Sequence, residues 1–100
     1  MHTEPSKLVT IVAETVVVEQ LLASLRRIGA NGYTVTDARG EGSRGRRVGE
    51  VPGDNQRIET LVSEEVAAHI LDLLAVQYFA NYAVVAWTTD VHVVRGEKYR

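Results

Sequence analysis

The sequence contains no cysteine, which excludes disulfide bonds, thiolate chemistry and metal sites built from cysteine sulfur. Its uninterrupted apolar runs are only a few residues long, far short of the roughly 20 residues that a membrane-spanning helix needs. The opening residues, MHTEPSKLVTIVAE, lack the basic segment followed by a long apolar stretch that is typical of a secretory signal peptide. We therefore expect a cytoplasmic protein.

An excess of positive charge is also missing. The formal net charge is −2 and the sequence pI is about 5.9, whereas a nucleic-acid-binding domain is normally basic overall. With 100 residues, 45% apolar and 24% charged, the composition indicates one small globular domain over residues 1–100. A domain of this size buries only about two-thirds of the surface that its unfolded chain exposes, so oligomerisation would add stability.

Hydrophobic patterning predicts strands over residues 7–13, 33–38, 57–62 and 82–94. It predicts one helix over residues 16–28, with Thr15 as N-cap and Gly29 as C-cap, and a second helix that begins after Ser63 and is broken by Asn81. Strand, helix, strand, strand, helix, strand is the order of the α+β, ferredoxin-like split βαβ fold (βαββαβ). The expected architecture is a four-stranded antiparallel sheet with both helices on one face.

The first and last predicted strands are apolar on both sides; in the first, Leu8 and Val12 lie on one side and Val9 and Ile11 on the other. Strands of this kind are usually covered on both faces of the sheet. The helices can cover only one face. We therefore expect the open face to be buried against copies of the same chain.

The loop predicted over residues 39–56 is glycine-rich and carries the concentrated stretch GEGSRGRR at positions 40–47. From Arg39 to Arg57 there are five arginines against three carboxylates, inside an acidic chain. Arginine presents a planar fork of donors that matches phosphate oxygens, and glycine lets backbone N–H groups approach an anion. The motif GxxxxGK[ST] is absent. Chemistry alone leaves open two interpretations, a phosphate site and a solvated hairpin loop.

No catalytic or metal-binding pattern is present in the sequence. His2, His69 and His92 are scattered, and Leu73 stands four residues after His69, where a helical ligand pair would need a histidine or carboxylate. No nucleophile–base pair and no carboxylate pair can be tied together. Asp37 is interpreted as a solvated carboxylate at a strand end. We predict a protein that is not an enzyme and holds no metal.

The segments Gly32-Tyr33-Thr34-Val35, GEGSR at 40–44 with Arg47, AVQYF at 75–79 and NYA at 81–83 resemble the SbtB-type branch of the PII-like signalling proteins. The resemblance covers residues 7–94. It implies a homotrimer that binds adenine nucleotides (cyclic AMP, AMP, ADP or ATP) in clefts between subunits, with no covalent cofactor. It also implies a mobile T-loop, about residues 40–56, that reports the ligand to a partner. The residues at 95–100, RGEKYR, form a short polar tail.

The partner implied by this resemblance is a bicarbonate transporter or another membrane transporter, which would recruit the protein to the membrane. Matching the family's motif residue by residue assigns phosphate contacts to Arg44 and Arg47, and loop backbone and hydroxyl contacts to Gly42 and Ser43. The strand beside the nucleotide would be Thr34, Val35 and Thr36. Val84 stands where the branch often has glycine, so its side chain would narrow the adenine or ribose pocket.

Two departures from the wider family limit which ligands and which switches we expect. The segment FANYAV at 79–84 has no lysine, which argues against 2-oxoglutarate and magnesium-ATP sensing of the nitrogen-sensing kind. The sequence ends in RGEKYR without a cysteine-containing extension, so we expect no redox switch; Arg46 has no assigned role. Two rival hypotheses remain, an RNA-binding module that uses the Arg-Gly loop and a structural trimer with an inert loop. Against the RNA-binding hypothesis, the sequence lacks the aromatic pattern that RNA-binding sheets use for stacking.

Overall fold

The computed structural model describes residues 1–40 and 54–95. Its elements are β1 (Glu4–Glu14), α1 (Thr15–Ile28), β2 (Thr34–Ala38), β3 (Asn55–Val62), α2 (Glu64–Gln77) and β4 (Val84–Val93). The four strands form one sheet in the order β2-β3-β1-β4, and every neighbouring pair is antiparallel. The predicted ferredoxin-like fold is confirmed. No helix within the described ranges is long and apolar enough to cross a membrane.

Both helices pack against the same face of this sheet. On β1, Val9, Ile11 and Ala13 are fully buried and belong to the core cluster. Since directly opposite residues of antiparallel strands share a face, the partners of Ile11, which are Ile58 on β3 and Ala86 on β4, point the same way. The helices supply the other half of the core, with the fully buried Leu21, Leu25, Ile70 and Leu74. Their spacing is the helical periodicity that the sequence predicted.

The two ends of α1 differ in how well the sequence predicted them. Gly29 is the predicted C-cap: it adopts the left-handed conformation with φ of 119°, and its N–H donates to the carbonyls of Leu25 and Arg26. The prediction of Thr15 as N-cap is wrong. Thr15 is the first helical residue and Glu14 occupies the cap position, with no side-chain hydrogen bond to the helix. The reason is that β1 runs on to Glu14, one residue further than the pattern suggested.

Three other boundaries shift for tertiary reasons. β3 begins at Asn55, inside the predicted loop, because Asn55 pairs with Ala38 and Glu14 and so extends both ladders. The helix α2 ends at Gln77, before Asn81. Buried Tyr78 is its C-cap residue, and the Tyr78 ring centroid lies 5.9 Å from that of Tyr82. The turn that follows Tyr78 occupies the next residues, so β4 begins only at Val84.

The face of the sheet opposite the helices, which we call the open face, is apolar in its centre. It carries Val85 and Trp87, which are 54% and 42% exposed. The Arg57 guanidinium carbon lies 5.9 Å from the centroid of the Trp87 ring, within cation–π range. Between their strands lies Thr10 on β1, opposite Trp87 in the register and only 1% exposed. Arg57 and Trp87 thus cover the middle of a surface that is otherwise partly apolar and exposed.

The caps of the two helices lead to a matched stability prediction. Ser63 Oγ accepts a hydrogen bond from the Val66 N–H at 3.2 Å, as the sequence predicted for an N-cap. We expect Ser63→Ala to lower the free energy of unfolding by about 1 kcal/mol. The exposed Thr15 makes no cap, so Thr15→Ala should stay within roughly 0.5 kcal/mol of the parent protein. Urea unfolding at one fixed protein concentration measures both, and equal losses would contradict the assignment of the cap.

Candidate functional site

One end of the sheet, which we call the loop end, is where β1 and β2 finish and β3 and β4 begin. In the register, Ala38 lies opposite Asn55, which lies opposite Glu14. One step further into the sheet, Ala13 of β1 lies opposite Val84 of β4. The chain therefore leaves β2 toward residues 41–53 and returns from them at Asp54 on this same end. The predicted site residues outside 41–53 lie on β2 and at the start of β4.

The three predicted residues on β2 lie together on an edge strand but divide between the two faces. Thr34 and Thr36 are exposed and lie opposite Glu59 and Arg57. Val35 lies opposite buried Ile58, is partly buried and packs against the core. The two threonine hydroxyls are therefore presented on the open face. Val35 can offer a ligand only its backbone and the exposed part of its side chain.

Val84 lies on the other edge of the sheet. It is opposite Ala13, is partly buried and packs against the core. Strands β3 and β1 lie between it and β2, so three strand spacings of roughly 4.8 Å place these edges about 14 Å apart. The structure therefore does not bring Thr34, Val35 and Thr36 together with Val84 within one subunit. The other predicted site residues, Gly42, Ser43, Arg44 and Arg47, lie outside the described residues.

A buried carboxylate at the loop end was not among the predicted site residues. Glu14 is 8% exposed, and its Oε2 accepts a hydrogen bond from the Ala83 N–H at 2.7 Å. The next residue, Thr15, donates its N–H to the Asp54 carbonyl at 2.8 Å. Sequence reasoning missed Glu14 because its partner is 69 residues away in the chain. A charged residue at the junction of a buried strand and a helix is the one signal that pointed to it.

Other polar contacts at the loop end are exposed and weaker. Gln56 Nε2 donates to Asp37 Oδ1 at 3.3 Å on the surface. The prediction of Asp37 as an exposed strand-end carboxylate fits this placement, since the residue is exposed. Exposed pairs of this kind contribute little to stability, so they do not fix the geometry of the site.

An ion pair whose two members have shifted pKa values lies at the opposite end of the sheet. Lys7 Nζ donates to Asp90 Oδ1, and the two residues are directly opposite in the β1–β4 register. This hydrogen bond raises the pKa of Lys7 and lowers the pKa of Asp90. Lys7 is seven residues from Glu14 along an extended strand, about 23 Å at roughly 3.3 Å per residue. We therefore assign the pair to the surface and not to the candidate site.

The helical layer carries an open groove of about 520 Å³ between α1 and α2, whose lining includes Arg27, His69 and Asp72. Of the predicted nucleotide residues that the structure describes, which are Thr34, Val35, Thr36 and Val84, none lines this groove. His2 contacts Glu4, and within residues 1–40 and 54–95 no group of three or more histidine or acidic residues is placed to hold a metal ion. The groove is therefore separate from the loop end.

Comparison with known proteins matches residues 6–98 to the model of the family described as nitrogen regulatory protein P-II. A solved structure from Thermus thermophilus, described as a PII-like signalling protein, shares 55% sequence identity over 100% of both chains, with a TM-score of 0.86. CPII from Thiomonas intermedia, bound to ADP and bicarbonate, shares 28% identity over 99% of this chain and 98% of its own, with a TM-score of 0.87.

A second structure of CPII, bound to ADP, AMP and bicarbonate, shares 27% identity over 99% of this chain and 97% of its own, with a TM-score of 0.86. These similarities extend over nearly the whole chain. The resemblance to PII-like proteins seen in the sequence motifs is thereby confirmed, and the chain belongs to the nitrogen regulatory protein P-II family.

Proposed function

We propose that this chain is a PII-like signal-transduction protein that senses adenine nucleotides in clefts between the subunits of a homotrimer. The observation that carries the proposal is its end-to-end similarity to CPII, a nitrogen regulatory PII-like protein whose structures are bound to ADP and AMP. The alignments cover 99% of this chain and 98% and 97% of CPII, at TM-scores of 0.87 and 0.86, so nearly all of each chain has a counterpart in the other.

The separation of the predicted site residues supports a position between subunits. Thr34 and Thr36 on β2 lie about 14 Å from the strand that carries Val84, with two strands in between. Within one copy, a nucleotide would have to extend across the whole width of the sheet to contact both β2 and the start of β4. We therefore take the site as shared between two copies, whose edges can lie close together.

The open face supports the homotrimer. Val85 and Trp87 are half-exposed in its centre, and Leu8, Val12 and Leu61 share this face by register. Burial of such apolar surface is the main driving force for association, at roughly 25 cal/mol per Å² removed from water. Packing of three open faces around a common axis would cover this surface and bring β2 of one copy toward β4 of the next.

The phosphates of the nucleotide are assigned to the connecting segment. Arg44 and Arg47 provide planar donor forks, while Gly42 and Ser43 provide backbone and hydroxyl donors. This assignment rests on the motif match and on the chemistry of these residue types. We take the T-loop, with these residues, as the element through which the protein contacts its partner, a bicarbonate transporter or another membrane transporter.

Signalling requires that the nucleotide bind two T-loop conformations with different affinity. A ligand that bound both equally would shift no equilibrium, however tightly it bound. Contacts between the phosphates and Arg44 and Arg47 provide such a difference, because they form only in the conformation that places both guanidinium groups at the cleft. The partner would then recognise one of these conformations.

Isothermal titration with ADP, AMP, ATP and cyclic AMP tests nucleotide binding directly. We expect at least one of them to bind near one site per subunit, since each cleft of a symmetric trimer is equivalent. Repeating each titration with and without bicarbonate asks whether the anion bound beside ADP in CPII also acts here. Absence of binding for all four nucleotides would overturn the proposed function.

The assignment of phosphate contacts to Arg44 and Arg47 can be tested by substitution, with Arg46 as a matched control. We expect Arg44→Ala and Arg47→Ala each to weaken ADP binding about tenfold or more, because a hydrogen bond to a charged group contributes roughly 1.5–3 kcal/mol. Adenosine has no phosphate, so its affinity should change little in either variant. Arg46→Ala should leave both affinities close to those of the parent protein. An equal loss of adenosine and ADP would remove the phosphate role.

Oligomeric state tests the role of the open face. We expect Val85→Glu to reduce the mass in solution from three times 11.0 kDa toward one chain, because a carboxylate in an apolar interface loses its hydration. Val76→Glu is the control, since Val76 is 81% exposed on α2, away from the open face. Light scattering coupled to size exclusion measures both masses. A trimeric Val85→Glu protein, or a parent protein that is not trimeric, would contradict the assembly.

A further inference from the structure

Glu14 occupies the N-cap of α1 without capping it. An N-cap side chain normally accepts a hydrogen bond from an N–H in the first turn of the helix, and Asn, Asp, Ser and Thr are the residues suited to this. The Glu14 side chain makes no such bond. It is nevertheless 8% exposed, so the chain keeps a carboxylate at a buried position where it leaves the helix end uncapped.

The Glu14 carboxylate is directed instead toward the segment that precedes β4. Its Oε2 accepts the Ala83 N–H at 2.7 Å, within the range of a short, charge-assisted hydrogen bond. Ala83 is adjacent to Val84, the predicted site residue that begins β4. Val84 is itself paired with Ala13, the residue before Glu14. The backbone at 83–84 is therefore attached to the end of β1 at two successive positions, once through strand pairing and once through the Glu14 side chain.

The same end of β1 is attached to the base of the connecting segment. Glu14 lies opposite Asn55 in the β1–β3 register, and the Thr15 N–H donates to the Asp54 carbonyl at 2.8 Å. Residues 14 and 15 thus contact both the return of the chain from 41–53 and the approach to Val84. A shift of either segment would break a hydrogen bond made by these two residues.

We propose that Glu14 is a positioning residue of the nucleotide site, which holds the Ala83–Val84 backbone in the place that the adenine or ribose requires. The inference rests on the proposed function, because it gives Glu14 a task in the cleft that begins at Val84. A carboxylate serves this task because, when ionised, it only accepts hydrogen bonds and binds a backbone N–H more strongly than a neutral acceptor does.

Variants at Glu14 and at Glu19, an exposed glutamate on α1, provide the test. Glu14→Ala removes the acceptor, whereas Glu14→Gln keeps an oxygen that can accept the same N–H without charge. Glu19→Ala and Glu19→Gln make the same chemical changes away from the loop end. Each protein is titrated with ADP and with AMP, and exchange of the Ala83 amide hydrogen is followed by NMR of the labelled protein without ligand.

We expect Glu14→Ala to weaken ADP and AMP binding by the same factor, about tenfold, because the lost contact lies on the base or ribose side of the ligand. Exchange of the Ala83 amide should accelerate by a similar factor. Glu14→Gln should recover most of both quantities, and the Glu19 variants should change neither. Rescue by glutamine separates positioning from a general loss of stability, as does a melting temperature measured for each variant.

Two results would overturn the inference while leaving nucleotide sensing intact. One is a folded Glu14→Ala protein that binds ADP and AMP like the parent. The other is a loss confined to ADP, which would place the effect at the phosphates instead of Val84. If Glu14→Ala does not fold, Glu14→Leu replaces it, because leucine fills the buried position and provides no acceptor. A loss of about tenfold for both nucleotides that Glu14→Gln recovers supports the inference, and parent-like binding by Glu14→Leu contradicts it. A parent protein that binds neither nucleotide refutes the proposed function itself, and the positioning role with it.

Discussion

The central position of β1 determines most of what this molecule can do. β1 pairs with β3 on one side and β4 on the other, over eight and ten residue pairs, and Val9, Ile11 and Ala13 on its inner face are fully buried under the helices. Because β1 fills the middle of the sheet together with β3, β2 and β4 are forced to opposite edges. Under the proposed function, a nucleotide that contacts both edge strands would lie where the β2 edge of one copy meets the β4 edge of another. The strand order is consistent with such a shared site.

A site shared between subunits, as proposed, would link ligand affinity to assembly. A ligand held between two subunits stabilises their association, and association in turn creates the site. The open face is suited to such a role because Val85 and Trp87 are too exposed to contribute fully to the stability of one subunit. Arg57 covers part of this surface by lying over Trp87, with its charge near Thr36 on the neighbouring strand. The edge that carries the predicted threonines is therefore the rim of the apolar face, where the Arg57 guanidinium lies 3.9 Å from the carboxylate of Glu59, the residue opposite Thr34.

Features that depend on adjacent residues could be predicted from the sequence. Gly29 and Ser63 end and begin helices through contacts within four residues of themselves, and both were predicted correctly. Thr15 was predicted wrongly because Glu14 remains in β1, held there by Asn55 on another strand. The start of β3 was missed for the same reason. Such boundaries follow from pairing partners distant in the chain, which local propensity does not encode.

The candidate site shows the same division between local and distant causes. Arg44 and Arg47 were predicted from a motif, since phosphate recognition depends on residue type and close spacing, and their role stays a prediction. The contact between Glu14 and Ala83 could not be found this way, because it joins residues 69 positions apart and uses a backbone donor that any residue would offer.

The contact between Glu14 and Ala83 also bears on the connecting segment between β2 and β3. Glu14 and Thr15 contact both the Ala83–Val84 approach and the Asp54 end of the connecting segment, so a conformational change at either one strains hydrogen bonds that hold the other. A nucleotide that fixes the Val84 side would then bias the base of the T-loop even before its phosphates reach an arginine. Two routes, one through the arginines and one through the end of β1, would act on the same loop equilibrium, and their free energies would add only if they favour the same conformation.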